Sequence, residues 1–127
     1  MFKIKNMEKI KINEQITIYD IQEWEKSFVE RKGISEKEEI AIKIGMCKLV
    51  EEVGEVSKAL IEDNWEEIQA ELADVIIFAC KMGNIAEKFH NTDKLSNVIA
   101  RKINYCETRK YNPKIKKFDK PQNDEFK

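Results

Sequence analysis

From Glu38 to Phe89 the chain repeats apolar residues at helical spacing with one break, at Asp63-Asn64. Ile42, Met46, Leu49, Val53, Val56 and Leu60 form a stripe before it; Ile68, Leu72, Val75, Ala79, Met82 and Ala86 form one after it. Two long helices joined by a short turn are predicted, and so short a connection sets them antiparallel. Ser35 and Glu38 read as a capping box opening the first of these helices. Asn64 is placed to cap the second, with Glu67 completing another capping box.

A further helix is expected upstream, from about Thr17 or Tyr19 to Lys32, with Ile18, Ile21, Trp24, Phe28 and Val29 on one side. Gly33 stops it. Downstream, Thr92 or Asp93 caps a helix carrying Leu95, Val98, Ile99 and Ile103, which Asn112-Pro113 ends. Only four Gly and two Pro interrupt 127 residues, and a charged content of 37% suits long helices with solvated faces. The fold class expected is all-α, a helical bundle of about four helices. It comprises an N-terminal arm over 1–16, a helical domain over 17–113 and a polar tail over 114–127. Ile40, Ile44 and Val50 lie off the main stripe, as do Ile76 and Ile77. Helices apolar on more than one side need more than one neighbour, so dimerisation is expected to complete the bundle.

A net charge of −1 argues against a chain that coats nucleic acid or an acidic membrane. No signal-peptide core and no run of roughly 18 apolar residues is present, so a cytoplasmic protein is expected. Cys47, Cys80 and Cys106 are odd in number and scattered, and read as buried thiols. His90, near a helix end, reads as a partner of the helix dipole.

The chemistry lies in two acid clusters, Glu51-Glu52-x-x-Glu55 and Glu71-x-x-Asp74. Their centres each stand about nine or ten residues from the Asp63–Asn64 turn, hence at nearly one height in an antiparallel pair. Both also fall on the same side of their own apolar stripes, so they project to one side of the seam. Carboxylates gathered at one level repel, and a hard divalent cation relieves them. All-oxygen ligation suits Mg2+, with Mn2+ as a substitute. The rival reading is a solvated acidic face on a non-catalytic helical interaction or regulatory module. Such strings arise readily in a chain rich in Glu and Lys, and Lys48/Glu52 and Glu51/Glu55 stand at i,i+4.

The joint pattern resembles the MazG-like all-α nucleoside triphosphate pyrophosphohydrolases, whose motif is E-E-x-x-E, a spacer, then E-x-x-D. This chain reads KLVEEVGEVSKAL and then ELADVIIFACKMGNIAEKF, with a basic stretch of Lys102 and Arg109 to Pro113 at the end. The resemblance implies hydrolysis of a nucleoside or deoxynucleoside triphosphate to the monophosphate and pyrophosphate. It implies that Glu52, Glu55, Glu71 and Asp74 hold Mg2+, with Glu51, Glu52 and Glu55 as catalytic carboxylates. Lys81, Lys102 and Arg109 would neutralise phosphate, and Asn84 and Trp24 would meet the base. It also implies a homodimer or dimer of dimers.

Overall fold

The computed structural model describes residues 10, 15–34 and 37–119. Their elements are helices α1 (Ile18–Arg31), α2 (Glu38–Ile61), α3 (Trp65–His90) and α4 (Leu95–Thr108), then strands β1 (Tyr111–Asn112) and β2 (Lys117–Phe118). Four helices therefore appear, as expected. The chain divides into two compact units, Met1–Thr92 and Asp93–Lys127. Most of the expected N-terminal arm, Ser35 of the expected capping box and the tail from residue 120 lie outside the described residues.

In the first unit, α1 opens on a capping box. The Thr17 hydroxyl accepts the Asp20 N–H at 3.1 Å, and the Asp20 carboxylate accepts the Thr17 N–H at 2.8 Å. Gly33, at φ +66°, takes the left-handed conformation that lets the chain leave the helix. α2 starts behind Lys37, which makes no side-chain cap.

The turn between α2 and α3 forms half of its expected capping box. Asn64 Oδ1 accepts the Glu67 N–H at 3.2 Å. With Asp63 left-handed at φ 55°, however, the Asn64 N–H donates to the Ala59 carbonyl at 3.0 Å, so the Glu67 carboxylate is not needed there. At the open end of the hairpin, His90 pairs with the Glu38 carboxylate.

The sequence stripe of α2 is only partly its packing face, and Leu49 and Val56 are the members that are half-buried. Ala41, Gly45 and Ala59 are buried, while Ile42, Met46, Val53 and Leu60 are exposed. Small residues let the two backbones approach closely: a Cβ on Gly45 would stand 2.7 Å from Met82 Sδ. Because α2 is apolar on several sides, periodicity alone could not select the side that faces α3.

α1 also packs on α3, and it does so through polar groups. Gln22, Glu25 and Ser27 are its buried residues, and Lys81 and Asn84 are buried on α3. Of the three cysteines expected in the core, only Cys80 is buried; Cys47 and Cys106 are exposed. Burial pushes the Cys80 thiol above its ordinary pKa, and the nearby Glu25 charge adds to this.

In the second unit, α4 starts behind Lys94 without a side-chain cap. Asp93 instead accepts from the Lys94 N–H at 2.8 Å, from Asn97 at 3.1 Å and from Arg101 at 2.6 Å. The helix ends at Thr108, before Asn112-Pro113, because those residues enter an antiparallel hairpin that pairs Tyr111 with Phe118. The start of the tail is thus structured.

Candidate metal centre

Glu52 on α2 and Glu71 and Asp74 on α3 each offer a carboxylate oxygen within 4.8 Å of the others, and all three side chains are half-buried. Their meeting follows from the hairpin. Glu71 and Asp74 are three residues apart and share a helix face. Glu52 reaches the same level from the opposing helix, as equal distances from the turn require.

Electrostatics at the cluster are those of crowded acids. Hydrogen bonds with Glu52 and then Glu67 raise the Glu71 carboxyl from its usual range to about 7; partial burial and the two neighbouring charges add to this. Crowding by acidic neighbours thus favours a proton on Glu71. A group poised in this way, with an all-oxygen donor set, fits a hard divalent cation, which can take the place of that proton. Glu67 was missed as a site residue because its position three after Asn64 reads as a cap. Its spacing of four from Glu71 is the signal that could have found it.

The other candidate residues are placed differently. Glu55 is exposed and lies outside the group of three. Glu51 is exposed and pairs with Lys48 at 3.2 Å. Lys81 is buried, its Nζ 3.8 Å from Glu25 Oε2. Asn84 is buried in hydrogen bonds with α1: it donates to the Gln22 carbonyl at 3.0 Å and to Glu25 at 2.9 Å, and accepts from the Gln22 amide at 3.0 Å. Trp24 stacks on Phe28, with ring centres 5.0 Å apart. It also lines an apolar cleft of about 470 Å3 with Ile21, Ala73, Ile76 and Ile77.

In the second unit, Lys102 lies over the Tyr105 ring at 5.8 Å. Arg109 donates to the Phe118 and Asp119 carbonyls, both at 3.2 Å, and stands 5.6 Å from the Phe118 ring centre.

Compared with known families, residues 42–112 match the MazG nucleotide pyrophosphohydrolase domain. The chain belongs to that family. The MazG match takes in the whole acid cluster, Lys102 and Arg109, and leaves α1 outside. Comparison with curated proteins and with solved structures returns no match.

Proposed function

We propose that this MazG-family chain hydrolyses a nucleoside or deoxynucleoside triphosphate to the monophosphate and pyrophosphate, with Mg2+ bound at Glu52, Glu71 and Asp74. The observation that carries this reading is the convergence of those carboxylates from two helices onto one point, inside the matched domain. When bound, the cation supplies positive charge to phosphate oxygens and acidifies water at the site.

The protein's own groups do the rest. Glu52, Glu71 and Asp74 are proposed to fix the position of the charge, with Glu67, one turn before Glu71, helping to raise the Glu71 carboxyl. Glu55, one turn beyond Glu52 and open to solvent, is proposed to complete the ligand set or to take the proton of the attacking water. Glu51 is proposed as an outer carboxylate, tied down by Lys48. The water's oxygen bonds to phosphorus as the phosphoanhydride oxygen leaves with pyrophosphate.

Lys102, Arg109 and Lys81 are the cations we propose for phosphate neutralisation, each leaving contacts it now makes, among them the Tyr105 ring, the hairpin carbonyls and Glu25.

A homodimer or dimer of dimers is part of the proposal. Ile40, Ile44, Val50 and Ile76 are exposed on the first unit, Val50 by 62%. An apolar surface of this kind is characteristic of an interface. Among the described residues no helix is long and apolar enough to cross a membrane. We propose a cytoplasmic setting, a reducing compartment that suits the free thiols of Cys47, Cys80 and Cys106.

The test is a pyrophosphate-release screen over NTPs and dNTPs with Mg2+ and Mn2+, with Glu52→Gln and Asp74→Asn alongside. Release that both variants lose, with helicity intact, supports the reading. A wild-type protein that releases no pyrophosphate from any nucleotide points to the non-catalytic interaction module instead.

A further inference from the structure

The net charge of −1 is the sum of two unlike units. Met1–Thr92 holds 13 Lys and Arg against 19 Asp and Glu, whereas Asp93–Lys127 holds 10 against 5. The acidic unit argues against a chain coated by nucleic acid along its length, but the second unit is basic. Lys110, Lys114, Lys116 and Lys117 are exposed there, and none forms an ion pair among the described residues. The proposed reaction uses none of the four.

Exposed rings lie among these lysines. Tyr111 and Phe118 are cross-strand partners, so both stand on one face of the β1–β2 hairpin. Their ring centres are 5.2 Å apart, and each residue is 53% exposed. Backbone and side-chain hydrogen bonds fix the pair without covering it. The Lys110 carbonyl accepts the Asp119 N–H at 2.7 Å, and Asn112 Oδ1 accepts the Lys114 N–H at 3.0 Å in the loop. Cross-strand packing accounts for the meeting of the rings. It does not account for four unpaired lysines within eight positions around them, which repel one another until an anion spans them.

We infer that this hairpin binds single-stranded nucleic acid, with bases stacked on Tyr111 and Phe118 and phosphates at Lys110, Lys114, Lys116 and Lys117. A single strand offers flat apolar faces and a phosphate with each of them, and a basic surface that carries open aromatic rings takes both. A duplex keeps its bases stacked on one another and gives the rings little. A rigid ring pair suits flat bases better than fluid lipid tails. The inference does not depend on the pyrophosphohydrolase reading, since it uses neither the acid cluster nor Lys102.

The experiment is fluorescence anisotropy of the full chain with a labelled uridine oligonucleotide about 16 nucleotides long. EDTA keeps divalent cations from bridging the strand to the acids. Binding is expected, and it should weaken as salt rises. Lys114→Gln, Lys116→Gln and Lys117→Gln together should weaken it by about tenfold or more, and should lower the slope of log affinity against log salt by about 2. Helicity and pyrophosphate release should not change in that variant. Phe118→Leu keeps an apolar partner for Tyr111 but loses the flat face, and should weaken binding by about fivefold or more, whereas Phe118→Tyr should bind like wild type. The assignment is overturned if no strand binds at about 50 mM salt, or if either the lysine variant or Phe118→Leu binds like wild type. Equal binding of a duplex of the same length would overturn it, and so would binding to anionic vesicles but not to the strand. Displacement of the strand by equimolar UTP would also overturn it, by making the hairpin part of the nucleotide site.

Discussion

Glu52 on α2 and Glu71 on α3 bring carboxylate oxygens within 4.8 Å of each other across the seam of the helix hairpin, and this neighbour raises the Glu71 carboxyl. Linkage fixes the direction of its pH dependence. The Glu71 carboxyl sits at about 7 in the folded chain against an ordinary 4.5. The folded state therefore binds more protons than the unfolded state between these values. Without a divalent cation, this contribution to stability is full below 4.5 and disappears as pH rises through 7. Millimolar Mg2+ should reverse the trend, raising the melting temperature at pH 8 and having little effect at pH 5. Thermal melts across pH, with Mg2+ and with EDTA, measure this.

Glu71→Gln removes one negative charge from the cluster and keeps the hydrogen-bonding shape. In EDTA at pH 8 this variant should melt higher than wild type. It should show no rise with Mg2+, and pyrophosphate release should fall by about a hundredfold or more. A variant that keeps the Mg2+ response would place the cation elsewhere.

Asn84 gives a contrast between structure and ligand contact. Its amide is engaged by Gln22 and Glu25 across the α1–α3 contact. Asn84→Ala leaves buried polar groups without partners and should cost about 1–3 kcal/mol in denaturant unfolding. An unchanged unfolding midpoint with a raised KM would return Asn84 to base binding.

The hairpin and its acid convergence were legible because both depend only on counting. Ten residues lie between Glu52 and Asp63 and nine between Asn64 and Asp74, and helical rise converts nearly equal counts into nearly equal heights. The rest was hidden for identifiable reasons. α2 carries isoleucine, valine and leucine around much of its circumference, so the face chosen by Ala41 and Gly45 depends on the close fit against Met82. Gln22 and Glu25 look like solvent-facing residues of α1 until Lys81 and Asn84 appear opposite them. Cys47 and Cys106 carry no local signal that separates them from Cys80. The β1–β2 hairpin could not be foreseen, since its strands are only two residues each and Tyr111 and Phe118 are separated by a stretch with Asn, Pro and three Lys that reads as a polar tail.

Asp93 supplies a second pH dependence, of opposite sign. Hydrogen bonds from Arg101, Asn97 and the Lys94 N–H, in that order, hold its carboxyl down at about 2 against an ordinary 3.8. Its contribution is present above 3.8 and is lost as pH falls toward 2. Carboxyl titration by NMR should place Asp93 below the other aspartates, and Arg101→Ala should bring it back toward them.

The tight turn at Asp63–Asn64 also constrains how this gene can change in length. One codon gained or lost inside either helix, between its acids and that turn, would rotate a cluster by about 100° and shift it by 1.5 Å. A frame-preserving insertion should therefore be tolerated between α1 and α2 and purged between Glu52 and Glu71, unless it extends the turn itself.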